Sequence, residues 1–233
     1  MFPSHDHGGE GSIASGNKSH AEGIGTSALG NYSHAEGSGS TAYGDASHAE
    51  GRNTTTFASG NYGHAEGWAT KASGSYSHAE GQGTYAKGQA SHAEGRQTSA
   101  SGDWSHAEGY LTKVTGDYSH VGGRSNIVDG DYALGVGRSN TIGSSAHYSI
   151  VGGFESRTTQ TYTTAIGMNV TASAHEGMMV VGSYFGAKSS SPAWTNDQGL
   201  IQRANVGLSP ANYRTMFAVG CSETGLNDRA SGS

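Results

Sequence analysis

Apolar bulk and charge are both scarce in this chain. Only 33% of its 233 residues are hydrophobic and 14% are charged. Low hydrophobicity marks a disordered chain when net charge is high, but here the net charge is only -6 and glycine recurs at a fixed period, so an ordered repeat is the better reading. Three prolines and no Gly-X-Y triplet period exclude collagen. The single cysteine, Cys221, has no partner for an intrachain disulfide. No apolar run approaches the ~20 residues of a membrane helix, so no membrane insertion is expected. The opening Met-Phe-Pro-Ser-His-Asp-His has no apolar leader core, so general secretion is not expected. Without basic clusters, a mildly acidic chain is a poor nucleic-acid binder.

What the chain does contain is a short, regular repeat. His-Ala-Glu-Gly begins at His20, His34, His48, His64, His78, His92 and His106, in steps of 14, 14, 16, 14, 14 and 14. So short a period makes each repeat one coil of a solenoid. Within a coil the pattern alternates with period two. Ser33, Ala35 and Gly37 share one face of a strand, and Tyr32, His34 and Glu36 share the other. A second strand puts Ser40, Ala42 and Gly44 on one face and Thr41 and Tyr43 on the other. The small residues must point inward, because two short strands per coil enclose a very narrow roll. Glycines seven residues apart are expected to supply the tight turns and close backbone approach. The fold expected is therefore all-β: a parallel β-solenoid of 14-residue coils. About twelve coils between Gly16 and Gly182 make a rod of roughly 55–60 Å at strand spacing.

The two outer faces differ. On the second strand the outward residues vary freely, as on a solvated surface: Ser27/Leu29, Lys71/Ser73, Tyr85/Lys87. On the first strand they are fixed as His20/Glu22, His34/Glu36, His48/Glu50, His64/Glu66, His78/Glu80, His92/Glu94 and His106/Glu108. The position two before His is often aromatic, as at Tyr32, Tyr62, Tyr76, Trp104 and Tyr118. A fixed outward set implies a specific partner for that face. A roll of Ala and Gly buries little apolar surface against the ordering entropy of each coil. The missing burial is expected from other copies of the chain, with parallel axes and the His/Glu column as a subunit-interface ladder.

The Ser-x-Ala-x-Gly alternation resembles the head repeat of trimeric autotransporter adhesins, a left-handed parallel β-roll that trimerises. The Ser-His-Ala-Glu-Gly version more closely resembles repeats of phage tail fibres and neck appendages. The likeness covers about Ile13 to Gly182 and implies a homotrimer. Met216-Phe217-Ala218-Val219-Gly220 and Asn227-Asp228-Arg229-Ala230 resemble the segment before a self-cleaving intramolecular chaperone in such phage proteins; a chaperone cleaved away, a sequence that stops short of it and an accidental likeness are the alternatives. The organisation expected is an N-terminal segment at 1–12, the regular roll at 13–120, degenerate coils at 121–182 and a C-terminal cap or small domain at 183–233. In the degenerate coils the inward residues are expected to enlarge (Val128, Ile142, Val151, Ile166). Two-residue insertions are expected near Asn53–Thr56 and between Gly137 and Gly153, preserving the alternation.

Several features invite chemistry. His with Glu two residues on suits general acid–base catalysis or metal ligation. Yet catalysis needs one cleft rather than a ladder, so no catalytic residue is assigned and the chain is not read as an enzyme. The ladder is read as structural, with His34 the nearest donor for Glu36, and acid is expected to weaken the assembly. His5 and His7 resemble the His-x-His of trimeric fibres in which three chains offer six imidazoles to one transition metal; the alternative is a disordered His-bearing terminus. No other cofactor is expected. Thr26, Ser40, Thr70, Thr84, Thr98 and Thr112 form a column, but on the inner face, which disfavours an ice-binding solenoid. Tyr43, Phe57, Trp68, Tyr85 and Tyr110 are candidates for stacking on sugars, although scattered exposed aromatics are ordinary. A polysaccharide depolymerase needs clustered carboxylates in a varied groove, and none stands out. The function expected is that of a structural and adhesive rod in the virion: a phage tail fibre, spike or appendage that contacts a host cell-surface glycan or protein. The alternative is a bacterial surface adhesin or extracellular filament subunit.

Overall fold

The computed structural model describes residues 9–184, with the backbone alone at 5–6, 183–184 and 213–219. Described residues outside the turns are all β, and no helix is long and apolar enough to cross a membrane. Most coils contribute one five-residue strand, such as His34–Ser38, and one two-residue strand, such as Thr41–Ala42. The long strands stack into one sheet and the short ones into a 12-stranded sheet beside it. Neighbours are parallel and in register, residue for equivalent residue: His34 pairs with His48, Ala35 with Ala49, Glu36 with Glu50. The parallel β-solenoid is thus what the 14-residue period predicts.

The interior is one side chain thick. Ala21, Ala35, Ala49, Ala65, Ala79, Ala93 and Ala107 are fully buried on the long strands, facing Ala28, Ala42, Ala72, Ala86 and Ala100 on the short ones. Buried Ser and Thr fill the corners, and several of their hydroxyls satisfy turn carbonyls: Ser33 Oγ donates to Gly30 O at 2.7 Å and Ser40 Oγ to Gly51 O at 3.2 Å. The Thr column is buried, as its phase requires, so it offers water no flat array. From Val114 onward the interior enlarges to Val114, Val121, Val128, Ile142 and Val151. Gly135 makes room among them, since a Cβ there would sit 2.5 Å from Val128 Cγ2.

Ile166 does not follow this trend. It is 40% exposed, because it pairs with Gly152 in the outward Glu position while Ala165 takes the inside. Gly37 also departs from the expected alternation. It is exposed with φ +97, and a Cβ there would lie 2.1 Å from Gly51 O. Its role is close approach between coils at a twisted strand end, not lining of the interior. Tyr32 likewise leaves the strand. It sits in the turn before His34 with φ 56, and its N–H donates to Asn17 O at 2.8 Å. The turns are thus built largely by non-glycine residues in the left-handed region, a rare conformation for bulky side chains.

The first insertion lies next to Asn53–Thr56, as expected, and directly after the short strand. Thr55–Thr56 keep their register with Thr41–Ala42, and the extra residues bulge at Phe57–Gly60. The second falls at 143–146, within the expected interval. Coil alignment survives both, because a bulge in a turn leaves both strands in phase. At the far end, Tyr213–Val219 pairs antiparallel with Met179–Tyr184 and closes the long-strand sheet.

Candidate functional site: the outward face of the long strands

Parallel, in-register pairing forces identical residues on top of one another, and the imidazoles obey it. From His34 to His106 the rings stack with centroids 4.7–4.9 Å apart and planes within 8° of parallel. The column begins with an edge contact at His20 and ends with a tilted one at His120. The rings are half-buried, and the Nε2 atoms of His34, His48, His78, His92 and His106 are covered without a hydrogen-bond partner.

Beside them runs the carboxylate column Glu22 to Glu108. Contacts between the columns lie within the chain and mostly join successive coils. His48 Nε2 lies 3.7 Å from Glu36 Oε1, nearer than His34 Nε2 at 4.0 Å from Glu36 Oε2. His64 reaches Glu50 at 3.2 Å, and His120 approaches Glu108 at 3.4 Å. Among the described residues, only His20–Glu22 and His64–Glu50 make hydrogen bonds between the two columns, so the ladder is in ionic reach but sparsely bonded. The Glu side chains wall an open groove whose floor is formed by glycines such as Gly81, Gly95 and Gly109.

Stacking sets the titration behaviour. Burial, then the neighbouring imidazoles, pushes His48, His78 and His106 below the usual histidine value. Carboxylates at strand spacing cannot all ionise, so protons are shared along the column. Hydrogen bonds to Glu36 and Glu66 raise Glu50 to about 7, and bonds to Glu94 and Glu66 raise Glu80 to about 7. As acceptors in those bonds, Glu36, Glu66 and Glu94 are held below the usual carboxylate value.

His48, Glu50 and His64 bring ligating atoms within 4.8 Å of one another, as do His64/Glu66/His78 and His92/Glu94/His106. The rings of each pair are nearly parallel, however, and an imidazole lone pair lies in its ring plane. Stacked rings therefore offer parallel donors rather than a set converging on one ion. For the N-terminal pair, His5 lies in a short strand in register with His20, and His7 lies outside the described residues.

Two features of this surface did not stand out in the sequence, and a third, the aromatic position two before His, showed there only as a residue preference. First, the His and Glu positions continue in unbroken register beyond His120 as exposed Leu134, Val136, Ile150 and Ile166. Second, the turn aromatics form their own column: Tyr62 stacks on Tyr76, and Trp104, Tyr118, Tyr132, Tyr148 and Tyr162 stack at 4.8–5.2 Å. Third, the position after the long-strand glycine, mixed in the early coils (Ile24, Ser38, Arg52, Trp68, Gln82), becomes a stripe of Arg and aromatic residues from Arg96 to Phe154. Coil equivalence is the signal that finds all three. Of the aromatics singled out for sugar contact, Tyr43 and Trp68 are exposed, while Phe57, Tyr85 and Tyr110 are half-buried. Tyr85 lies under Lys71 and Lys87.

No protein-family model matches the chain, and no curated protein matches it.

Proposed function

We propose that the chain is a structural and adhesive rod of a phage tail fibre, spike or appendage in the virion. In this reading it assembles as a homotrimer with parallel axes and contacts a host cell-surface glycan or protein. One observation carries the assembly. The face that is His/Glu over seven coils continues as Leu134, Val136, Ile150 and Ile166, each at least 36% exposed. A contiguous apolar stripe of this kind marks an interaction surface. It shares its register with imidazole nitrogens that lack hydrogen-bond partners. A second and third copy laid parallel would cover both stretches at once and supply burial that an alanine interior lacks. The phage assignment rests on the likeness of the Ser-His-Ala-Glu-Gly repeat.

Light scattering tests the assembly: the expected mass is three times the 23.8 kDa chain. Val136→Glu with Ile150→Glu should lower it, because unpaired carboxylates would be buried in the contact. A stable wild-type monomer would overturn the reading. Glycan-array binding without release of cleaved product separates adhesion from depolymerisation.

A further inference from the structure

Five successive coils place Arg96, Tyr110, Arg124, Arg138 and Phe154 directly above one another. The guanidinium groups of Arg96 and Arg124 each lie 5.6 Å from the centre of the Tyr110 ring, and that of Arg138 lies 5.3 Å from Phe154. All three arginines are exposed. Among the described residues none has a carboxylate within ion-pair distance.

This arrangement runs against the rest of the molecule. The chain carries a net charge of -6, yet Arg124 and Arg138 sit side by side at strand spacing, where like charges repel. The Glu column stops just there. Glu94 and Glu108 give way to Gly122, Val136 and Gly152 at the equivalent positions. Two like charges left without a counter-charge, and held by aromatic platforms, are poised for an external anion.

We propose that this stripe is a binding site for an acidic polysaccharide, with sugar carboxylates taken by Arg96, Arg124 and Arg138. A guanidinium offers a planar fork matched to a carboxylate. Arg96 and Arg124 stand two coils apart, roughly 9.6 Å at strand spacing, a separation on the scale of a disaccharide. Tyr110 between them sets that spacing, with both guanidinium groups held over its ring. Three arginines beside an acidic groove are too few for a densely charged phosphate polymer, whose binding depends on many simultaneous contacts. The site deepens the attachment reading and depends on it only for where the glycan comes from.

The test titrates polygalacturonate oligomers into the full chain by calorimetry, with dextran and single-stranded DNA as comparison ligands. Saturable polygalacturonate binding, no dextran binding and weaker DNA binding are expected. Arg124→Gln with Arg138→Gln should weaken polygalacturonate at least tenfold while circular dichroism and the light-scattering mass stay unchanged. Unchanged affinity in the variant would overturn the site, and so would DNA binding as tight as polygalacturonate, which indicates plain ion exchange. If neither protein binds and the variant loses mass, the arginines serve contacts between copies; the site then fails and the assembly reading stands. A wild-type monomer that binds polygalacturonate, with binding lost in the variant, would do the reverse: the site stands and the assembly reading fails.

Discussion

The rings of His48 and His64 stack 4.9 Å apart and within 1° of parallel, across a coil that carries two extra residues. The insertion leaves no mark on the column because it is absorbed in the turn at Phe57–Gly60. Stacking at this distance makes adjacent positive charges costly, and that has a consequence in solution.

His48, His78 and His106 should titrate below 6.5 in the folded protein, because burial and neighbouring imidazoles oppose the charge. Their unfolded forms then bind more protons, so these groups withdraw stability as pH falls from about 6.5 through the folded values. Ring-proton NMR checks this directly. A value at or above 6.5 for His78 would contradict the column's geometry.

Glu50 and Glu80 act in the opposite sense. Raised to about 7, they hold protons in the folded state that the unfolded state has released above 4.5. Stability from these two groups is therefore lost as pH rises between about 4.5 and 7. Glu50→Gln with Glu80→Gln keeps a donor toward each neighbouring carboxylate without the charge. The double variant should melt higher at pH 8, by about 2–4 °C for each kcal/mol recovered, and should lose that slope. Acid is thus not uniformly destabilising, since the histidines and these two glutamates oppose one another over this window.

Gly135→Ala should destabilise by about 1–3 kcal/mol through overpacking, because the added methyl meets Val128 at 2.5 Å. Adding Val128→Ala should return part of the loss. Denaturant melts of both singles and the double complete the cycle, and strict additivity would mean the two sites do not share the interior volume.

Asn126→Asp should be more damaging than its isosteric shape suggests. Asn126 Nδ2 donates to Gly122 O at 2.6 Å and Gly137 O at 2.7 Å, and Oδ1 accepts from Asn140 N at 2.8 Å. A carboxylate there would turn an acceptor toward the carbonyls of Gly122 and Gly137. A loss of about 3 kcal/mol or more is expected from urea unfolding; a loss below ~1 kcal/mol would show that the side chain does not tie its coil to the next.

Much of the fold is legible in the sequence because its cause is local and repeated. A period of 14 with alternating small residues leaves Ala35 and Ala42 one place to go, and their register follows from identity between coils. The His/Glu column is legible for the same reason. Ile166 is not, because the degenerate coils offer apolar residues at two adjacent phases, Ala165 and Ile166, and only strand pairing chooses between them. Alternation alone also carries the strand two residues too far, to Tyr32, whose left-handed turn has no glycine to announce it. The exact place of the two-residue bulge is hidden in the same way: nothing around Asn53–Thr56 reveals the equivalence of Thr56 with Ala42.

The sequence by itself determined a solenoid with a small-residue interior and an outward His/Glu column, since period and alternation set both. Only the tertiary structure decided that imidazoles stack face to face, that carboxylates line up coil upon coil, and that Arg124 and Arg138 meet where the acid column ends. Those are contacts between residues 14 or more apart, and their distances and ring planes arise only when coils are stacked.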